Sequence, residues 1–122
     1  MFKRIDHLAL HASDLERSIA FYERHFGWKK YFEQVSSRGF KIVYLKLGDS
    51  VLELVGRSDG AMTGFHFCLE TDDFEGTVAR LKADGVACVQ EPHDTPARAP
   101  REQGWRRVVF KGPDGEAIEL RG

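Results

Sequence analysis

The sequence predicts an α+β fold built from two copies of one βαβββ module. Three observations carry this. The chain repeats itself at a fixed offset, each copy reads strand, helix and then three strands, and His and Glu recur at matching places in both copies. A shift of 59 positions puts His7 on His66, Leu10 on Leu69, Asp14 on Asp73, Glu16 on Glu75 and Ala20 on Ala79. Ser18 then meets Thr77 and Ile19 meets Val78, so chemistry is kept where identity is not.

Both copies open with a short apolar run, His7–His11 and Phe65–Leu69, suited to a strand. A helix start follows each. Ser13-Asp14-Leu15-Glu16 has the S-x-x-E form of a capping box, and Asp72-Asp73-Phe74-Glu75 offers the same kind of acceptor and returning carboxylate. Apolar residues at helical spacing come next: Leu15, Ile19, Tyr22 and Phe26 in one copy, Phe74, Val78 and Leu81 in the other. Gly27 and Gly85 end the two helices, because glycine adopts the left-handed C-terminal position without steric cost. Strands are expected at 28–35, 39–47 and 50–55, and again at 86–90, 105–110 and 116–121. Turn residues separate most of them, as in Ser36-Ser37-Arg38-Gly39, Gly48-Asp49-Ser50 and Gly112-Pro113-Asp114-Gly115. Module one is taken as 1–57 and module two as 63–122, joined near Arg57–Thr63 within a single domain. Residues 91–104 hold three prolines and no apolar period, so they are expected to form a long loop that borders a binding site.

Composition narrows the function classes. The chain has 122 residues, a net charge of −1 and 42% hydrophobic residues, enough for a packed core and too balanced in charge to act as a bulk nucleic-acid or membrane binder. No run of eighteen apolar residues offers a membrane span, and the first residues lack the apolar core of a signal peptide. Cys68 and Cys88 have no CxxC spacing and sit in apolar strand-like runs, which reads as two buried free thiols in a reducing cytoplasm.

His7 and His66 lie on the first strand of each module, Glu53 and Glu119 on the last, in the matching contexts Val51-Leu52-Glu53-Leu54 and Ala117-Ile118-Glu119-Leu120. Side chains alternate along a strand, so if Leu52, Leu54, Ile118 and Leu120 face the helices, both glutamates face the opposite side. His66 shares its face with Cys68, and His7 with Ala9. Two imidazoles and two carboxylates suit one divalent ion such as Ni, Zn, Co, Mn or Fe. A cation also removes the repulsion between two carboxylates brought together.

With these residues in place, the chain resembles the vicinal oxygen chelate superfamily, also called the glyoxalase/bleomycin resistance/dioxygenase superfamily. The carriers are Ile5-Asp6-His7-Leu8-Ala9-Leu10, Asp14 to Tyr22, Val51 to Leu54, Gly64-Phe65-His66-Phe67, Gly112 to Gly115 and Ile118-Glu119-Leu120. The resemblance implies an open mixed-sheet barrel around one metal held by His7, Glu53, His66 and Glu119. It also implies a substrate bound through neighbouring oxygens while a carboxylate, Glu119 or Glu53, moves a proton. The fourth ligand, Glu53, resembles the bacterial form of glyoxalase I, so a lyase or isomerase that shifts a proton next to a carbonyl is expected. The alternatives within the family are a drug-sequestering or sensory binding protein, a thiol or water transferase, and an extradiol-type dioxygenase. Glu116 and Ala117 follow Pro-Asp-Gly where glyoxalase-type chains often carry tyrosine. Arg98 and Arg101 in the proline-rich loop, with Trp105 and Cys68, are the expected contacts to a small and anionic substrate. Finally, two helices are few for eight strands that carry Trp28, Phe32, Phe40, Tyr44 and Trp105, so a homodimer that shares its sites is expected.

Overall fold

The computed structural model describes residue 1 and residues 4–58 and 65–122; most of the expected join, including Gly60 and Thr63, lies outside them. The chain divides into two compact units, Met1–Gly60 and Ala61–Gly122. The first unit runs β1 (Leu8–Ala12), α1 (Leu15–Phe26), β2 (Lys29–Val35), β3 (Lys41–Leu47) and β4 (Ser50–Gly56). The second runs β5 (His66–Glu70), α2 (Phe74–Ala83), β6 (Cys88–Asp94), a 3-10 turn at Pro100–Glu102, β7 (Arg106–Lys111) and β8 (Ala117–Arg121). Each unit is therefore the expected βαβββ module.

Each sheet is open and four-stranded, in the order β1-β4-β3-β2 and β5-β8-β7-β6. First and last strands of a module lie side by side and parallel, Ala9 opposite Glu53 and Cys68 opposite Glu119. The helix makes this possible, since parallel neighbours need a long crossover that a tight turn cannot supply. The remaining pairs are antiparallel.

Alternation sets the core. In the first module Leu10, Ala12, Val43, Leu45, Leu52 and Leu54 are buried on one face of the sheet, together with Ile19 and Tyr22 of α1. In the second, Phe67, Val108, Phe110, Ile118 and Leu120 are buried with Phe74, Val78 and Leu81 of α2. Each buried Val, Leu, Ile or Phe among them contributes about 1.5–3 kcal/mol. Trp28, expected among the strand aromatics that could be left exposed, is buried, and its amide donates to the Tyr22 carbonyl at the end of α1 (3.3 Å).

Three expectations need correction. The helix caps are Asp14 and Asp73, whose carboxylates accept from the Arg17 and Gly76 amides (3.1 and 3.0 Å). The Ser13-to-Glu16 box is thus shifted by one residue, because Asp14 is still extended and Glu16 already lies in the first helical turn. Strand β6 reaches Asp94 rather than stopping at 90, so the loop starts later. It runs through Pro92 because it is the edge strand and its pairing is irregular there, where the missing proline amide breaks no regular ladder. Cys68 is exposed and Cys88 half-buried, although both are free as expected; period-two alternation puts Cys68 on the open face with His66. Gly27 and Gly85 do take positive φ, 74° and 79°.

Candidate metal centre

In the first module, His7 stands just before β1 and Glu53 is in the middle of β4. The parallel pairing brings His7 Nε2 within 3.1 Å of Glu53 Oε2. The Glu53 side chain is only 13% exposed. On its other edge, His7 Nδ1 lies 2.9 Å from the Asp6 carboxylate, which fixes the ring. With Nδ1 donating to Asp6, the neutral ring presents a lone pair at Nε2 to the Glu53 oxygen. Two lone pairs at that distance repel, so the arrangement calls for a cation on the Nε2 edge, either a proton or a metal ion. Tyr44, directly opposite Glu53 on β3, packs edge-on against His7 with ring centroids 6.3 Å apart. Burial and then the Glu53 charge push its phenol pKa up.

The second module repeats the pattern. His66 opens β5, Glu119 is in the middle of β8, and Nε2 and Oε2 are 3.6 Å apart. The Glu119 side chain is 10% exposed. Cys68 sits opposite Glu119 in the parallel register; although the residue as a whole is exposed, partial desolvation of its thiol, followed by the Glu119 charge, pushes it up to about 11. It is therefore a neutral thiol at neutral pH. Two donors held about 2.1 Å from one ion at tetrahedral or octahedral angles stand roughly 3.0–3.5 Å apart. Both His–Glu edges are close to this spacing, and the N/O donors fit a borderline divalent ion. Among the described residues, no group of three or more His, Cys, Asp or Glu side chains gathers to hold a metal. Each module thus offers one His–Glu edge.

The sequence profile of the glyoxalase/bleomycin resistance protein/dioxygenase superfamily matches residues 4–120. The chain belongs to this superfamily. It is 31% identical to the metallothiol transferase FosB of Lysinibacillus sphaericus, over 95% of this chain and 79% of that one. It is 31% identical to a probable lactoylglutathione lyase of Vibrio cholerae, over 96% and 88%. Human mitochondrial methylmalonyl-CoA epimerase is 30% identical over 72% of this chain, a match that spans 57% of the epimerase. Among solved structures, a glyoxalase family protein from Enterococcus faecalis superposes with a TM-score of 0.76 at 25% identity, covering 99% and 98% of the two chains. An antibiotic-binding protein of Streptomyces, TnmS3, superposes with a TM-score of 0.74 at 26% identity, covering 98% and 94%. The fold is also that of the fosfomycin resistance protein FosX of Listeria monocytogenes, solved with Mn(II) and sulfate (TM-score 0.75, 18% identity, covering 100% and 93%).

The expected substrate contacts are placed as follows. Arg98 grips the buried Glu102 through its amide (2.8 Å), Nε (3.0 Å) and a terminal nitrogen (2.5 Å). Arg101 makes a two-pronged pair with Glu70 (3.0 and 3.2 Å) and lies 4.9 Å above the Trp105 ring. Arg121 also reaches Trp105, at 5.8 Å, and Glu102, at 3.4 Å. Both loop arginines therefore have carboxylate partners in their own module. Sequence reading missed Glu102, whose burial nothing in the loop's composition announces. It also missed Arg107 and Arg121. Arg121 was accessible to it, because counting two residues on from Glu119 puts Arg121 on the same face.

Proposed function

We propose that the protein is a divalent-metal-dependent lyase or isomerase of the glyoxalase I type, with His7, Glu53, His66 and Glu119 as ligands. The observation that supports this most is the same His–Glu edge in both modules, the histidine at the head of the first strand and the glutamate in the middle of the last. When bound, the ion would supply an electrophile for two neighbouring oxygens of a small substrate. The protein's own residues supply the rest. Asp6 orients His7, the sheets hold both glutamates at low exposure, and Glu119 or Glu53 takes a proton from the carbon next to the carbonyl and returns it to the neighbouring atom. The working unit in this reading is a homodimer, with His7 and Glu53 of one protomer completed by His66 and Glu119 of the partner subunit.

Metal analysis of the purified protein, combined with a hemithioacetal isomerisation assay across Ni²⁺, Zn²⁺, Co²⁺, Mn²⁺ and Fe²⁺, tests the proposal. Uptake of an ion that Glu53→Gln and Glu119→Gln each reduce, together with turnover, is the expected result. An ion held without turnover would point to another substrate or to a binding protein, the class to which TnmS3 belongs. No uptake at all would end the metal reading.

A further inference from the structure

The two carboxylates of the His–Glu edges have unlike neighbours. Each sits in the middle of its strand with one residue opposite it on either side. Glu53 lies between Ala9 of β1 and Tyr44 of β3. Glu119 lies between Cys68 of β5 and Val109 of β7. The repeat that matches the histidines and the glutamates therefore breaks at the residues flanking the glutamates. A phenol is a good hydrogen-bond donor, a thiol is a weak one, and alanine and valine side chains have none to give.

Tyr44 is placed to use its donor. The rings of His7, Tyr31 and Phe32 surround it, with centroids 6.3, 6.3 and 5.8 Å away, and they confine the phenol. Gln34, two residues past Phe32 on β2, donates from Nε2 to the Tyr44 hydroxyl oxygen (2.9 Å). A hydroxyl that accepts from an amide keeps its one proton for another partner. That partner is Glu53, to which Tyr44 hydrogen-bonds across the strands. One chain of contacts thus runs from Gln34 through Tyr44 and Glu53 to His7 Nε2 at 3.1 Å, and Asp6 closes it on the far edge of the ring. Glu119 is held more loosely. Its histidine is 3.6 Å away, Arg107 stands at 4.0 Å, and its hydrogen-bonding neighbour is the Cys68 thiol.

We propose that Tyr44 is a positioning residue, whose hydroxyl, oriented by Gln34, holds the Glu53 carboxylate in one setting beside His7. The two carboxylates are then unequal: Glu53 is fixed and Glu119 is not. The inference deepens the metal-dependent reading above and rests on it. A phenol bonded to a carboxylate makes a charge-assisted contact, stronger than one between neutral groups. Partners of this kind orient ligands and typically change metal affinity by about 10–100-fold.

Two measurements test it, one without metal and one with Mn²⁺. In chelator-treated protein, Tyr44→Phe should lower the urea midpoint. It should lower it equally in a Glu119→Ala background, and not at all in a Glu53→Ala background, because the bond is then already lost. With Mn²⁺ as the probe, Tyr44→Phe should weaken binding about tenfold by titration calorimetry. The electron paramagnetic resonance spectrum of the Mn²⁺ still bound should change, since it reports ligand geometry and a remote packing defect would leave it alone. Equal loss of midpoint in all three backgrounds would overturn the proposal, because Tyr44 would then not act through Glu53. Unchanged Mn²⁺ affinity and spectrum in Tyr44→Phe would overturn it as well. A wild-type protein that takes up no Mn²⁺ would sink the metal reading by itself, and the unfolding comparison would still decide whether Tyr44 holds Glu53.

Discussion

Asp6 and Glu102 show how single carboxylates set the chemistry around them. Asp6 touches no proposed substrate, yet it decides which edge of His7 carries the proton. Such outer partners typically change metal affinity by about 10–100-fold. Asp6→Ala should therefore weaken metal binding by about tenfold while leaving the fold intact, measured by titration calorimetry; unchanged affinity would remove Asp6 from the site. Glu102 acts on stability. The Arg98 side chain first, then its amide, hold the carboxyl at about 2, against an ordinary value of 4.5. A group depressed in the folded state stabilises above its unfolded pKa, and that contribution disappears as pH falls through the folded one. The denaturant midpoint of Glu102→Gln should thus lie below wild type at pH 7, and the gap should narrow between about pH 4.5 and 2. A gap that stays constant with pH would mean packing, not charge, is at stake.

At the level of elements, much was readable because strands and helices announce themselves by period. The buried Val43, Leu45, Leu52 and Leu54 alternate as written, and α1 and α2 fall where the i, i+4 apolar residues put them. What failed was local chemistry that depends on one residue more or less. Ser13 and Asp14 are both good cap residues, and only the extended backbone at Asp14 decides between them. Asp14→Ala and Asp73→Ala should each lower stability by about 1 kcal/mol, measured by urea unfolding. Pro92 read as a breaker because the sequence does not reveal which strand is the edge. The turn Gly112–Gly115 hides a further surprise. Glu116, which stands where tyrosine is frequent in glyoxalase-type chains, is buried, and its carboxylate accepts from the Asp114 amide (2.8 Å). A Cβ on Gly112 would come within 2.3 Å of that carboxylate, so Gly112→Ala should destabilise unless Glu116 moves. Glu116 is here a fastener of the turn.

At the scale of the whole molecule, the two His–Glu edges proposed to hold metal were legible only through the repeat. Neither His7 nor Glu53 says much alone; their recurrence as His66 and Glu119 does, and the parallel first-to-last pairing is what brings each pair together. How two such edges combine was not legible, because the sequence records the modules and not their partners. The first module presents Tyr31, Phe32 and Val35, 50%, 52% and 68% exposed, along the edge strand β2. An edge strand with this much apolar surface is a natural place for another chain to cover. If sites are shared, His7→Ala damages the half-site that module one contributes and Glu119→Ala the half-site that module two contributes. Each variant alone should lose tight metal binding. Mixed and re-associated at equal concentration, half of the dimers carry one chain of each kind, and one of the two sites in such a dimer has all four ligands again. Roughly a quarter of the sites should therefore recover metal, and with it any activity. Sites built within single chains would recover nothing, whatever the mixing ratio, and that outcome would exclude the shared dimer.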